Sequence, residues 1–352
     1  MTKSDYRLWQ LETVNVLYDL IEKDSGIKST KTYLQWGDEE TSDYGNILIV
    51  EAESYTSLIR VVGGLKSHFS DRNIKVLLRG QKSHYKFLQW PKLFRWNELL
   101  KYIDDLSDPW SVELPEGVEP PSDYPKRIYY VNNWLESVYL QDYIRKTRDL
   151  KKGEITNLLA WEPVMQHYGY KTRWLDLVDN VPIAVWFASD KDDSKQSYGY
   201  IFVYGVRVDR KIARGVWEGI YHRLIDLREA TGPRALRPHM QHAFSLLDVN
   251  LLKLTPDDFS KDIFSILAKT DYSKYLLCII KVRNELLKEW VYFGDENTSY
   301  HLSKCNIFPS PEHDDLFKTL LEHQEMLDEE EDIELTKIIG RIDPMGYDLE
   351  DF

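Results

Sequence analysis

Three separated stretches of this chain carry side chains able to do chemistry. Arg79-Gly80-Gln81 closes an apolar run. Gln166-His167-Tyr168-Gly169 is followed by Thr172-Arg173 and then Asp176. Arg237, His239, Gln241 and His242 crowd a short piece that ends in Phe244. A guanidinium at a strand end can grip a phosphate or carboxylate through paired N–H groups. A histidine beside a carboxylate can act as a general base. A plainer reading stands beside this one. Arg79 can cap a helix or pair with a carboxylate, Asp176 can form a buried ion pair with Arg79 or Arg173, and His167 can bond a backbone carbonyl. His239 and His242 are spaced to present two imidazoles from one helix face, yet no third ligand lies near them in sequence, so no metal is assigned. A nuclease built from His167, Asp176 and His242 has no spacing signature. Tyr170-Lys171-Thr172 lacks the glycine pattern of a phosphate loop.

The elements that must position these residues are legible as runs. Residues 5–24 carry leucines and other apolar side chains at helical spacing, which predicts an amphipathic helix able to dock on the body or on a second subunit. Lys23 to Glu40 is polar and reads as a linker. A strand is expected at 47–50 and another at 74–78, leading into Arg79. Between them Tyr55–Phe69 reads as a helix capped by Ser54, with Gly63-Gly64 weakening its far half. Residues 107–125, rich in proline, serine and acid, read as an exposed loop. Helices are expected over 128–148, over 158–167 with Gly169 closing the segment, and over 182–189 with Pro182 in the first turn. Asp176 reads as lying on the helix side of Thr172-Arg173. Strands follow at 200–204 and 276–282, then a helix at 285–291. Strands and helices mix without strict alternation, so the fold class expected is α+β: a central mixed or antiparallel sheet with flanking helices, plus the N-terminal helix.

With 352 residues the chain can bury a large core, and 43% hydrophobic and 29% charged residues are ordinary for a globular protein. Its 11 Trp, 23 Tyr and 12 Phe suit an aromatic core, and equally an interface or a base-stacking platform. The net charge of −13 argues against a general binder of nucleic acid or anionic membrane. Residues 207–237 reverse that charge locally. They can face phosphates or a nucleic acid, or they can meet the acidic stretch at 325–334. Cys278 and Cys305 are too few for a disulfide framework or a paired-cysteine zinc site, and fit a reducing compartment. The N-terminus lacks a secretory apolar core, and no apolar run is long enough to span a bilayer. The expected location is the cytoplasm, without a membrane partner; an oligomer through the N-terminal helix is left open.

These residues also carry a resemblance. Arg79-Gly80-Gln81 after an apolar strand resembles the opening of the FRG domain, with Leu78 in place of the usual aromatic. The run from Met165 to Ser189, with its Gln-His-Tyr-Gly, Thr-Arg and Leu-Asp pieces, resembles that family's second signature. Arg237, Gln241 and Phe244 resemble its Arg-x-x-x-Gln-x-x-Phe segment, and Asn306-Ile307-Phe308-Pro309 its closing Leu-Phe-Pro. The resemblance implies a domain over 45–325, preceded by the helix and linker of 1–44 and followed by the acidic segment 326–352. It also implies a bacterial defence or toxin-type setting. The order of the pieces is similar to that of Arg-Ser-Glu-type ADP-ribosyltransferases, which implies NAD as a substrate rather than a tightly bound cofactor. On that likeness Arg79, Gly80, Gln81 and Arg173 hold the nucleotide, Thr172 supports the ribose, and His167, Asp176 and Gln241 line the reacting centre. Gln241 carries no charge, so Asp176 or Glu229 would have to supply the carboxylate. Whether the chain is an enzyme, an ADP-ribosyl transferase or NAD hydrolase, or a binding module built on the same pocket, the sequence leaves open.

Overall fold

The computed structural model describes residues 3–36, 45–82, 158–169, 172–189, 197–233, 235–252, 272–292, 302 and 304–321. The expectations for 107–125, 128–148 and 326–352 fall outside the described residues. The α+β class is observed. Ten strands form one sheet in the order β1-β2-β10-β5-β3-β4-β9-β8-β7-β6. They are β1 (Ile27–Trp36), β2 (Gly45–Ala52), β3 (Ile74–Gln81), β4 (Leu175–Val178), β5 (Tyr198–Arg207), β6 (Lys211–Ala213), β7 (Val216–Glu218), β8 (His222–Asp226), β9 (Ala243–Asp248) and β10 (Leu276–Arg283). Only β2 and β10 run parallel; the other neighbours are antiparallel, so the sheet is mixed.

Helices α1 (Lys3–Lys23), α2 (Tyr55–Phe69), α3 (Trp161–Gln166), α4 (Val181–Ala188), α5 (Leu236–Met240), α6 (Asn284–Tyr292) and α7 (Lys304–Ile307) supply the rest of the frame. Two start where their sequences predict. Ser54 accepts a hydrogen bond from the Ser57 amide at 3.0 Å, and Asn180 accepts one from Ile183 at 3.1 Å with Pro182 in the first turn of α4. Each cap satisfies an amide that the helix itself leaves open. Among the described residues, no helix is long and apolar enough to cross a membrane.

The sheet is buried on both faces. On one, Leu17 of α1, Leu58, Val61 and Leu65 of α2, Ile183 and Val185 of α4 and Leu287 of α6 cover Leu48, Val50, Leu78, Val178, Ile201 and Ile280. On the other, Leu77, Leu177, Phe202, Tyr204, Phe244 and Ile279 pack with Trp217, Tyr272 and Tyr275. This two-sided burial explains why the central strands read as continuous apolar runs.

One boundary differs from the sequence reading. The stretch read as a linker holds β1, an edge strand paired antiparallel with β2 and bulged between Ser29 and Thr32. Of its side chains that are described, Ile27 is buried and Lys28 to Thr30 are exposed or half-buried, as an edge strand allows polar residues to be. Thr30 Oγ1 donates to the Ile49 carbonyl at 2.7 Å and helps to tie the bulge down. The β6–β7–β8 meander is also new; its strands of three to five residues are too short to show a period.

Candidate functional site

The site begins where two strands part. β3 is paired along its length with β5, and β4 with β9, but β3 and β4 meet only at Leu78↔Val178. Beyond that contact Arg79, Gly80 and Gln81 form one lip and Leu175 to Leu177 the other. Gly80 is there for packing: a Cβ would sit 1.9 Å from the Ala184 carbonyl oxygen of α4. Gln81 is buried.

Arg79 bridges the split. Its Nη1 donates to the main-chain carbonyl of Asp176 at 2.8 Å. The residue is only 9% exposed, its Nε is buried without a hydrogen-bond partner, and no carboxylate among the described residues pairs with it. The sequence offered Asp176 as its ionic partner; the structure gives Arg79 the carbonyl of that residue instead. Strand alternation accounts for this. The Asp176 carboxylate shares the face of Val178 and α4, whereas the Arg79 side chain shares the face of Leu77 and Phe202.

Asp176 lies within β4, between Thr172-Arg173 and α4, directly opposite Ser245 of β9. A chain of side chains runs through it. The Trp174 amide donates to Thr172 Oγ1 at 3.3 Å, and Thr172 Oγ1 donates to Gln166 Oε1. Gln166 Nε2 donates to Asp176 Oδ2 at 2.5 Å. His167 Nε2 faces Asp176 Oδ1 at 3.5 Å. His167 Nδ1 lies 2.7 Å from Gln241 Oε1, and Gln241 Nε2 donates to the Ile307 carbonyl at 3.1 Å. Asp176 is the most open member, with a side chain 24% exposed against 3% for His167.

That order fixes protons. Ile307 offers only an acceptor, so the Gln241 nitrogen must face it and the Gln241 oxygen must face His167. His167 Nδ1 then carries hydrogen, and the lone pair of the neutral imidazole sits on Nε2, toward Asp176. The arrangement can accept a proton at Nε2 and hold the resulting charge beside a carboxylate. It also leaves His167 Nε2 and Asp176 Oδ1 buried and without hydrogen bonds.

The backbone explains how residues 74 apart in sequence meet. Gly169, at φ 105, turns the chain sharply after α3 in a conformation that favours glycine. His242, at φ 50, breaks the run after α5, so Gln241 turns inward to His167 while His242 Nδ1 faces Asp179 at 3.3 Å. A buried hub locks the two segments together. Arg237 donates its amide to Asp314 Oδ2 at 3.0 Å, Tyr168 donates its hydroxyl to the same oxygen at 2.8 Å, and the Arg237 guanidinium lies 3.8 Å from the Phe317 ring centre. Burial pushes the Asp314 carboxyl above its ordinary value despite these donors.

Arg173 stands apart. It pairs with Glu162, not Asp176, through Nη2 at 2.8 Å and Nε at 3.0 Å. Desolvation pushes the Glu162 carboxyl up, but Arg173 overrides it and holds the group below its usual range. This is a fork-shaped structural ion pair. The rest of the basic stretch is also largely spoken for. Arg210 and Arg223 pair with Glu218, Lys211 with Glu229, Arg207 with Asp209, and Arg228 with Asp179 and Asp226. Among the described residues its counter-charges come chiefly from the meander and its flanks. Glu229 is thereby outside the relay. His239 Nε2 turns to the Gly232 carbonyl at 3.2 Å, so it and His242 do not converge. Among the described residues, no three His, Cys, Asp or Glu side chains gather as a metal site.

Sequence reasoning singled out Arg79, His167, Thr172, Asp176 and Gln241, and the structure connects them. It did not single out Gln166, Glu162, Ser245 or Asp314. Gln166 sat inside a recognised motif, three residues before Gly169; nothing in the sequence marks the others. Comparison with curated proteins and with solved structures finds no match. The segment that carries Arg79, the α3 motif and Asp176, residues 75–197, matches the FRG domain.

Proposed function

We propose that this chain acts on an anionic nucleotide and cleaves an N-glycosidic bond of the NAD type. The observation that carries the reading is Arg79: a guanidinium nine-tenths buried, without a counter-ion among the described residues, bonded to the backbone of the residue whose carboxylate, on the opposite face at the split, heads a proton-accepting relay. An uncompensated buried charge costs several kcal/mol, on the order of what one bound anion can return. A nucleotide phosphate has the charge and the fork-matching oxygens. A nucleotide that passes from Arg79 through the split between β3 and β4 brings its ribose to the Asp176 carboxylate on the other face, which stabilises positive charge as it develops at C1′. The bond from C1′ to the nicotinamide nitrogen breaks and its electron pair stays on that nitrogen. Water bonds to C1′ and gives its proton to His167 Nε2, or an acceptor on a target molecule takes the place of water. Gln241 keeps His167 in the right tautomer. The wider setting, a defence or toxin-type effector, rests on the resemblance of the FRG-matching segment.

A second reading is favoured by one observation. Thr172 and Gln241 are each about 98% buried and spend their polar atoms inside the protein. Neither is free to touch a ribose or a target. On that reading the relay is a polar lock, and the chain binds an anionic ligand at Arg79 without turning it over.

Incubation with labelled NAD and cell lysate separates the two. Nicotinamide release or label transfer that disappears in Arg79→Ala supports the enzyme. Saturable binding of NAD with no product over hours contradicts cleavage and leaves the binding module.

A further inference from the structure

Ser245 is fully buried, and its hydroxyl has no hydrogen-bond partner. It is directly opposite Asp176 across the β4–β9 ladder, so the two side chains leave the same face with Cβ atoms about 4.5–5.5 Å apart. Asp176 Oδ1 and His167 Nε2 are orphaned as well and lie 3.5 Å from each other. Both are acceptors when His167 is neutral with its hydrogen on Nδ1, so they cannot satisfy each other. Each buried polar atom left unsatisfied costs about 1–3 kcal/mol, and native interiors relieve such atoms with a bound water making two to four hydrogen bonds.

We infer that Ser245, Asp176 and His167 form a binding site for one water molecule, and that this water is the attacking nucleophile. The water donates one hydrogen to Asp176 Oδ1 and the other to His167 Nε2, and accepts from Ser245 Oγ. Its free lone pair then points away from all three groups, toward incoming substrate. Ser245 orients the water through its hydroxyl; Asp176 and His167 stand where the proton must go when the oxygen bonds to C1′. This rests on the N-glycosidic reading and sharpens it. A site built for water favours hydrolysis over transfer to a macromolecular acceptor. The bond made is oxygen to C1′, the bond broken is C1′ to nicotinamide nitrogen, and the water proton ends on His167, so no other reactant is needed.

Two measurements on the full chain test it. The first is a crystal structure that orders waters, of the wild type and of Ser245→Ala. Density within hydrogen-bond reach of all three atoms in the wild type, lost or displaced in the variant, supports the site. No density there, or Ser245 Oγ bonded directly to Asp176, overturns it, whatever the activity. The second is NAD hydrolysis with methanol as competing nucleophile. Ser245→Ala is expected to lower kcat about 10- to 100-fold with KM unchanged, and to raise the share of methyl product. Wild-type kcat and wild-type product ratio in the variant would refute the role of the water. If the wild type releases no nicotinamide, the N-glycosidic reading fails and the nucleophile role falls with it; the density still decides whether the water site exists.

Discussion

Removing the charge at Arg79 should stabilise the protein while abolishing its grip on anions. Consider Arg79→Met, which keeps much of the stem's volume. The buried guanidinium carries a desolvation penalty of several kcal/mol, say about 4. Its charge-assisted bond to the Asp176 carbonyl at 2.8 Å returns about 2 kcal/mol. The difference, about 2 kcal/mol, is the stabilisation expected in the variant, or a rise in Tm of a few degrees for a chain of this size. The ligand effect has the opposite sign. Pyrophosphate or ADP-ribose at 100 times its Kd should stabilise the wild type by about 2.7 kcal/mol and leave Arg79→Met unmoved. Thermal melts of both proteins, without anion and with each of the two anions, give the six values required. A variant less stable than the wild type by 2 kcal/mol or more, together with a wild type indifferent to both anions, would refute the reasoning. Arg79 would then be an ordinary structural arginine whose carbonyl bond outweighs its desolvation.

Two other perturbations have clear signs. Glu162→Gln leaves Arg173 buried without its counter-ion and should cost about 3–5 kcal/mol in denaturant unfolding. Because Glu162 is held below the ordinary carboxylate range, its contribution is complete above that range and is lost as pH falls through the depressed value; the variant should therefore show a flatter acid limb. Gln241→Leu removes the acceptor for His167 Nδ1–H. It should lower nicotinamide release at least about tenfold with anion binding by Arg79 retained; an unchanged rate would remove Gln241 and its tautomer argument from the mechanism.

What the sequence made legible follows physical lines. Ser54 and Pro182 announce helix starts because caps are local chemistry. The strands at 74–78, 200–204 and 276–282 announce themselves because both faces of the sheet are buried. β1 hides because an edge strand has a wet side and so looks like a linker. β4, which holds Asp176, does not announce itself because it has four residues, too few for an alternating pattern. The motifs identified His167, Asp176 and Gln241, but not their order, since His167 meets Gln241 across 74 residues and Gln241 meets Ile307 across 66. Nothing local distinguishes Ser245 from any small residue in an apolar strand; only the register opposite Asp176 does. Arg173 and Arg79 look equivalent in sequence. Their difference lies in Glu162, eleven residues before Arg173, which neutralises one guanidinium, whereas no carboxylate among the described residues neutralises the other.

The central claim is that one carboxylate at a split in the sheet does chemistry on NAD. Nicotinamide release by the wild type and by Asp176→Asn, compared at equal NAD occupancy, tests it most directly. The amide keeps the side chain's size and can still accept from Gln166, so the fold and the Arg79–carbonyl bond should survive. The account predicts turnover in the wild type and a loss of about 100-fold or more in the variant, with both proteins melting cooperatively and binding ADP-ribose alike. Equal release by the two, or none by a wild type that binds ADP-ribose through Arg79, would contradict it.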